Sequence, residues 1–160
     1  MRIGIVTGEY PPMEGGVGDF TRKLAIELCN QNHEVHVLTN RSDHLSRLDD
    51  HQASLRIHRH IQTTGLPIIL TINRWIREIV PDVLNLQYQA AAYRMRGGLN
   101  WYPLFHRNTL VPVVVTFHDL KVPYLFPKAG PLRWWTVRRL ARRADSAIVT
   151  NREDYLRLSE

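Results

Sequence analysis

A doubly wound, mainly parallel α/β sheet is the fold class this sequence predicts, on three grounds. Strand-like and helix-like segments alternate along all 160 residues, the pattern of consecutive β-α units. The run Pro112 to Phe117 (PVVVTF) is β-branched and apolar on both faces, as a central parallel strand covered on each side by helices must be. The first strand runs through a Pro- and Gly-rich loop, TGEYPPMEGGVGDF over Thr7 to Phe20, into an amphipathic helix. A loop of that kind leaves backbone N–H groups at a helix N-terminus, shaped for an anion such as a phosphate.

In order, Arg2 to Thr7 reads as the first strand. Val17, Phe20, Leu24 and Leu28 then recur at helical spacing, and Asn32 can close that helix in a left-handed conformation. Glu34 to Thr39 (EVHVLT) is the next strand, and Ser54 to His58 (SLRIH) alternates like a shorter one. From Pro67 to Val80 the residues Ile68, Ile72, Trp75, Ile76 and Ile79 lie at helical intervals, and Pro81 ends the helix. Val83 to Leu86 starts another strand and Pro112 to Phe117 follows it. Leu132 to Arg143 is a helix, Ala147 to Val149 a last short strand, and Glu153 to Leu158 the start of a further helix.

With 44% hydrophobic residues, the length suits one domain, 1–160, around one core. No apolar run approaches roughly 18 residues, the span of a membrane helix. The N-terminus opens on a strand pattern rather than a secretory leader. The single cysteine, Cys29, falls on the first helix, where a buried thiol is expected, and the cytoplasm is the default compartment. The formal charge of +6 owes much to Arg133, Arg138, Arg139, Arg142 and Arg143. A solvated helix face explains these arginines; as a binding patch they suit anionic lipid headgroups at the inner face of a membrane better than nucleic acid. No zinc-finger spacing, aromatic RNA-binding signature or helix-turn-helix accompanies them.

In a doubly wound sheet, ligands bind beyond the carboxyl ends of the strands, which directs attention to the loops Gly8 to Gly18, Gln87 to Arg107 and His118 to Gly130. The second mixes Tyr88, Tyr93, Trp101, Tyr102 and Phe105 with Arg94, Arg96 and Arg107. It suits sugar stacking, membrane contact or a protein partner, and equally a loop packed over the sheet. A dinucleotide fingerprint fails on spacing, because Glu9-Tyr10-Pro11-Pro12-Met13-Glu14 separates Gly8 from Gly15, Gly16 and Gly18, and the second strand ends without a carboxylate. No Gly-Lys-Ser/Thr follows for a P-loop. His33, His36, His44, His51, His58 and His60 have no metal-ligand spacing. His118 differs. It ends the strongest central strand and precedes Asp119, so both side chains are expected to open toward the crevice.

The series GEYPPMEGGVGDF, HEVHVLT, VVVTFHD and ADSAIVTN, in this order across nearly the whole chain, resembles the N-terminal domain of retaining GT-B glycosyltransferases of the family-four type. The resemblance implies a Rossmann-like, acceptor-side domain that faces a second, donor-binding domain across a cleft. It implies that the loop matching Gly15, Gly16, Val17 and Gly18 brings backbone amides to the donor diphosphate. His118 would then lie near the transferred sugar, with Asp119 orienting it or touching the acceptor. Tyr10, Glu14, Asp19, Gln87, Tyr88 and Tyr124, on the same three loops, are the acceptor-side candidates. The implied partners are a nucleotide-sugar donor and a sugar or lipid-linked acceptor, with no cofactor, no metal and no nucleic acid. The leaving phosphate would take the acceptor's proton. The donor-binding elements have no counterpart here, so a domain shortened at its C-terminal end and unable to transfer sugar alone is expected. Two rivals are a non-catalytic module on anionic membrane or a protein partner, and a Rossmann-type oxidoreductase fragment.

Overall fold

The computed structural model describes residues 1–41, 53–102, 110–120 and 130–159. Within them the elements run β1 (Arg2–Val6), α1 (Gly16–Asn30), β2 (Glu34–Asn40), β3 (Leu55–Ile61), α2 (Ile68–Ile79), β4 (Val83–Gln89), a 3-10 turn (Leu99–Trp101), β5 (Val113–Asp119), α3 (Gly130–Arg143), β6 (Ser146–Val149) and α4 (Arg152–Ser159). The six strands pair in the order β3-β2-β1-β4-β5-β6, every pair parallel. The chain winds outward from β1 to β3, returns to place β4 beside β1, and winds outward again to β6. The reversal between β1 and β4 is the switch point at which such sheets open a crevice.

Alternation along each strand divides the core in two. Ile3, Ile5, Val35 and Val37 face α1 and pack with Ala25 and Cys29. Leu84, Leu86, Val113, Val115 and Phe117 face the other way, against Ile72, Trp75 and Ile76 of α2 and Val137 and Leu140 of α3. The helix ends follow local chemistry. Asn32 has φ 64 and Val80, just before Pro81, has φ 45, the left-handed turn that stops a helix.

Three strands outrun their apolar patterns: β3 reaches Ile61, β4 reaches Gln89 and β5 reaches Asp119. The hydrophobic signal stops where polar residues begin, whereas a parallel ladder is held by backbone groups that neighbouring strands satisfy irrespective of side chain. Thr7 falls just outside β1, although its N–H still donates to the Leu38 carbonyl at 3.0 Å.

The polar end of β3 is built into a relay. His58 Nε2 lies 3.0 Å from His36 Nδ1, His36 Nε2 lies 3.0 Å from Glu34 Oε1, and Arg2 Nε donates to Glu34 Oε2 at 2.9 Å. Burial, then the adjacent His36 and His60, push His58 down to about 4, with Glu78 opposing and Arg56 adding to the shift. The unfolded chain therefore takes up this proton first. Stability from this group is complete above pH about 6.5 and is lost as pH falls toward about 4. Discounted for the ring's partial exposure, the loss is roughly 1–2 kcal/mol. Urea midpoints measured across that window are expected to fall for the natural sequence and to stay nearly level for His58→Gln. An unchanged slope in the variant would assign the acid sensitivity elsewhere.

Candidate functional site

The loop between β1 and α1 is fixed from three sides. The Thr7 hydroxyl donates to the Glu9 carbonyl at 2.8 Å, the Asn40 amide donates to the Gly8 carbonyl, and the Arg59 guanidinium donates to the Pro11 carbonyl. The Pro11-Pro12 peptide is cis. Helix α1 starts without a side-chain cap, and its first backbone bond runs from Asp19 N–H to the Gly15 carbonyl at 3.1 Å. The N–H groups of Gly16, Val17 and Gly18 thus have no intrahelical partner, and the helix dipole adds partial positive charge there. Gly18 sits so close to the loop that a Cβ would stand 3.3 Å from Glu9 and Tyr10 backbone atoms, whereas a Cβ on Gly16 would meet nothing within 4 Å. The loop grips the helix at Gly18 and leaves Gly16 open to a ligand. The Glu9 carboxylate lies against Gly15, and burial pushes its pKa up.

His118 is set by the end of β5. The β4–β5 register pairs Tyr88 with Phe117 and then Gln89 with Asp119, so His118 is the extra residue of a bulge, a device that re-aims a side chain. Its Nε2 lies 2.6 Å from Gln87 Oε1. The Gln87 amide nitrogen donates to Asn85 Oδ1, and Asn85 Nδ2 donates to Thr116 Oγ1 at 3.1 Å. In this orientation the Gln87 amide oxygen faces the histidine. The ring therefore carries its proton on Nε2 and presents Nδ1 as an acceptor. Its edge packs on Phe20 with centroids 4.7 Å apart, which ties β5 to α1 one turn beyond Gly16. Burial lowers the His118 pKa, so the ring is neutral at pH 7.

Of the other sequence candidates, Gln87 is fully buried at 0% exposure and its amide holds His118. Tyr10 and Tyr88 are buried, Tyr88 packing on Phe117 at 5.4 Å between centroids. Glu14, Asp19 and Asp119 are exposed, and Tyr124 lies outside the described residues. Sequence reasoning missed Glu9 and the Asn85–Thr116 pair. The signal for Asn85 and Gln87 was present, as polar residues at alternate positions of the otherwise apolar VLNLQYQ strand.

The aromatics described after β4 turn inward: Tyr93 and Tyr102 are buried, and Trp101 packs on Trp135 at 6.0 Å, with Arg139 over both rings. Phe105 and Arg107 of that loop, and His44 and His51, lie outside the described residues. Among the described residues no group of three His, Cys, Asp or Glu side chains could hold a metal ion. None of their helices is long and apolar enough to cross a membrane. At the tip of β2, where a dinucleotide site places a carboxylate for the ribose, Asn40 binds the Gly8 carbonyl instead.

A single six-stranded parallel sheet with this winding and flanking helices is a Rossmann-like α/β fold that matches GT-B neighbours. Residues 15–159 match the glycosyl transferase 4-like domain, and the chain belongs to that family. Sucrose-phosphate synthase from Thermosynechococcus elongatus superposes with a TM-score of 0.76 at 16% identity, over 99% of this chain and 44% of that one. An alpha-glucosyltransferase solved with UDP and a 13-mer DNA gives 0.51 at 20% identity, over 93% of this chain and 37% of that one. A dTDP-glucose 4,6-dehydratase from Bacillus anthracis strain Ames, solved with NAD, gives 0.58 at 8% identity, over 93% and 53%. At these identities the likeness is one of fold. The chain spans about half or less of each of these solved chains. No curated protein matches the sequence.

Proposed function

We propose that this domain is the acceptor-side half of a glycosyltransferase that moves a sugar from a nucleotide-sugar to an acceptor hydroxyl with retention of configuration. The observation that carries the reading is the pairing, through Phe20, of an open, uncapped helix start at Gly16 with a neutral histidine held by Gln87, in a chain of the glycosyl transferase 4-like family. The amides of Gly16 and Val17 suit the charge that grows on a leaving diphosphate, where fixed donors act without reorganisation. The Nδ1 lone pair of His118 accepts a hydrogen bond from a hydroxyl of the transferred sugar and holds that ring while positive charge develops at its anomeric carbon. The acceptor hydroxyl arrives on the face from which the diphosphate departs. The departing phosphate oxygen takes the hydroxyl proton, the new glycosidic bond forms and the sugar–phosphate bond breaks. Positioning and electrostatics supply the acceleration, without a protein base or a metal.

The donor's nucleotide belongs to the facing domain, so the 160-residue chain alone is expected to give no turnover of a nucleotide-sugar. A two-domain protein carrying it is expected to transfer sugar, with a product of unchanged anomeric configuration by proton NMR and a rate unaffected by EDTA. Inverted product would overturn the retaining mechanism, and loss of activity with EDTA would overturn its independence of metal. Turnover by the isolated chain would overturn the division between the two halves.

A further inference from the structure

We propose that a cavity at the carboxyl ends of β2, β3 and β4, ringed by Arg41, Arg94 and Arg96, binds a phosphate ester and holds the anionic end of the acceptor. The proposal rests on the acceptor-side reading above and adds the chemical class of that acceptor. The cavity measures about 360 Å³ and is lined by the three arginines together with Asn40, Gln62, Thr63 and Thr64, a size within the usual range for small-molecule sites. Among the described residues no acidic side chain lines it, and none of the three arginines makes an ion pair.

Its walls are fixed by backbone. Arg41 N–H donates to the Ile61 carbonyl at 2.8 Å, which locks the tip of β2 to that of β3. The turn after β4 is closed by Met95 N–H to the Ala90 carbonyl and Arg94 N–H to the Ala91 carbonyl, each 2.8 Å. Arg94 and Met95 are both left-handed there, with φ 53 and 60, a conformation that non-glycine residues keep only when their surroundings enforce it. The enforcing contact is Tyr93, buried beneath the turn and donating its hydroxyl to the Gln87 carbonyl at 3.1 Å. The two loops touch directly, since a Cβ on Gly98 would stand 2.8 Å from the Thr64 carbonyl oxygen and collide with Gly65. The backbone of one loop is thereby held against that of the other.

The second sign of a ligand is Thr64. Thr64 is only 3% exposed, yet its hydroxyl has no hydrogen-bond partner among the described residues, an arrangement that native interiors rarely leave unexplained. Thr64 belongs to the cavity wall, and a turn of its side chain toward the cavity would let an oxygen of a bound anion complete it. Three guanidiniums around one space call for more than a single negative charge. A carboxylate saturates one guanidinium fork, whereas a phosphate monoester offers three oxygens to several donors at once. The site lies beside the loop of the proposed donor cradle, because Asn40 on its rim also holds the Gly8 carbonyl.

The test is titration calorimetry on the 160-residue chain with a hexose 6-phosphate and with the same hexose unphosphorylated, alongside sedimentation with vesicles of phosphatidylinositol 4-phosphate, whose headgroup carries a phosphate monoester, and with phosphatidylinositol vesicles, which carry only a diester. No donor is present, so the result stands apart from whether sugar is transferred. Saturable binding of the hexose 6-phosphate, weakened about tenfold or more by the double change Arg94→Ala and Arg96→Ala and several-fold by Thr64→Val, is expected. Binding of phosphatidylinositol 4-phosphate vesicles over phosphatidylinositol vesicles, with the same dependence on these arginines, would assign the ester to a lipid headgroup and equally support the site. Equal affinity for hexose and hexose 6-phosphate overturns the proposal. So does affinity undiminished in variants whose melting temperature shows them folded, and so does the absence of binding to either phosphate source.

Discussion

His118→Ala, made in a two-domain protein carrying this domain, is expected to lower kcat by roughly 10²-fold or more while the donor KM changes little, as loss of one positioned polar group at a transition state does. The geometry supports a sharper companion test at Gln87, whose amide oxygen lies 2.6 Å from His118 Nε2. Gln87→Glu keeps the shape and replaces that oxygen with a carboxylate. A negative charge at this distance favours the imidazolium and raises the His118 pKa, which burial now holds below its ordinary value. In the proposed mechanism the neutral ring accepts a hydrogen bond from a sugar hydroxyl, so the variant is expected to lose activity near pH 7 and recover it at higher pH. The His118 ring resonance, followed by NMR, is expected to titrate at correspondingly higher pH. A variant uniformly slow at every pH, with an unmoved His118 titration, would make Gln87 only a packing residue.

Trp75→Ala is expected to destabilise the domain by about 3–5 kcal/mol, the cost of removing a buried large aromatic. Trp75 is 1% exposed and lies directly under β1, where a Cβ on Gly4 would stand 3.2 Å from its Cη2. No neighbouring side chain can fill the space without moving a central strand. Its indole nitrogen is buried and has no hydrogen-bond partner among the described residues, so Trp75→Phe, which removes that donor while keeping a ring, is expected to lose far less. Urea denaturation of the three proteins distinguishes the contributions. Equal losses for the two variants would show that the indole's outer ring, rather than the general filling of the cavity, is what β1 rests on.

The elements were legible wherever burial and periodicity coincide. PVVVTF could only be a central strand, and the isoleucines of α2 could only be one face of a helix. The polar extensions of β3 and β4 were not, because what holds them is a neighbouring backbone that a linear pattern does not contain. The loop-to-helix turn was readable from the glycines and the helical spacing that follows them, and the position of His118 near a strand end from the VVVTFHD run. Its hydrogen bond to Gln87 joins residues 31 apart in sequence, and needs the β4–β5 register to be seen. The Glu9 carboxylate against Gly15 depends on how one loop folds back on itself, and the arginine cavity draws on the ends of β2, β3 and β4. Topology, not composition, assembles both.

The segment after β4 separates anchoring from recognition. Tyr93 is buried beneath it while Arg94 and Arg96 stand exposed on its rim, so the residues that keep the turn in place are not those that would meet a ligand. Arg96 is exposed and lies outside the left-handed pair Arg94–Met95, and replacing such a side chain usually changes stability by less than about 0.5 kcal/mol. The turn can therefore exchange its outward chemistry from one lineage to the next, and so change which molecules the domain accepts, without refolding the scaffold beneath.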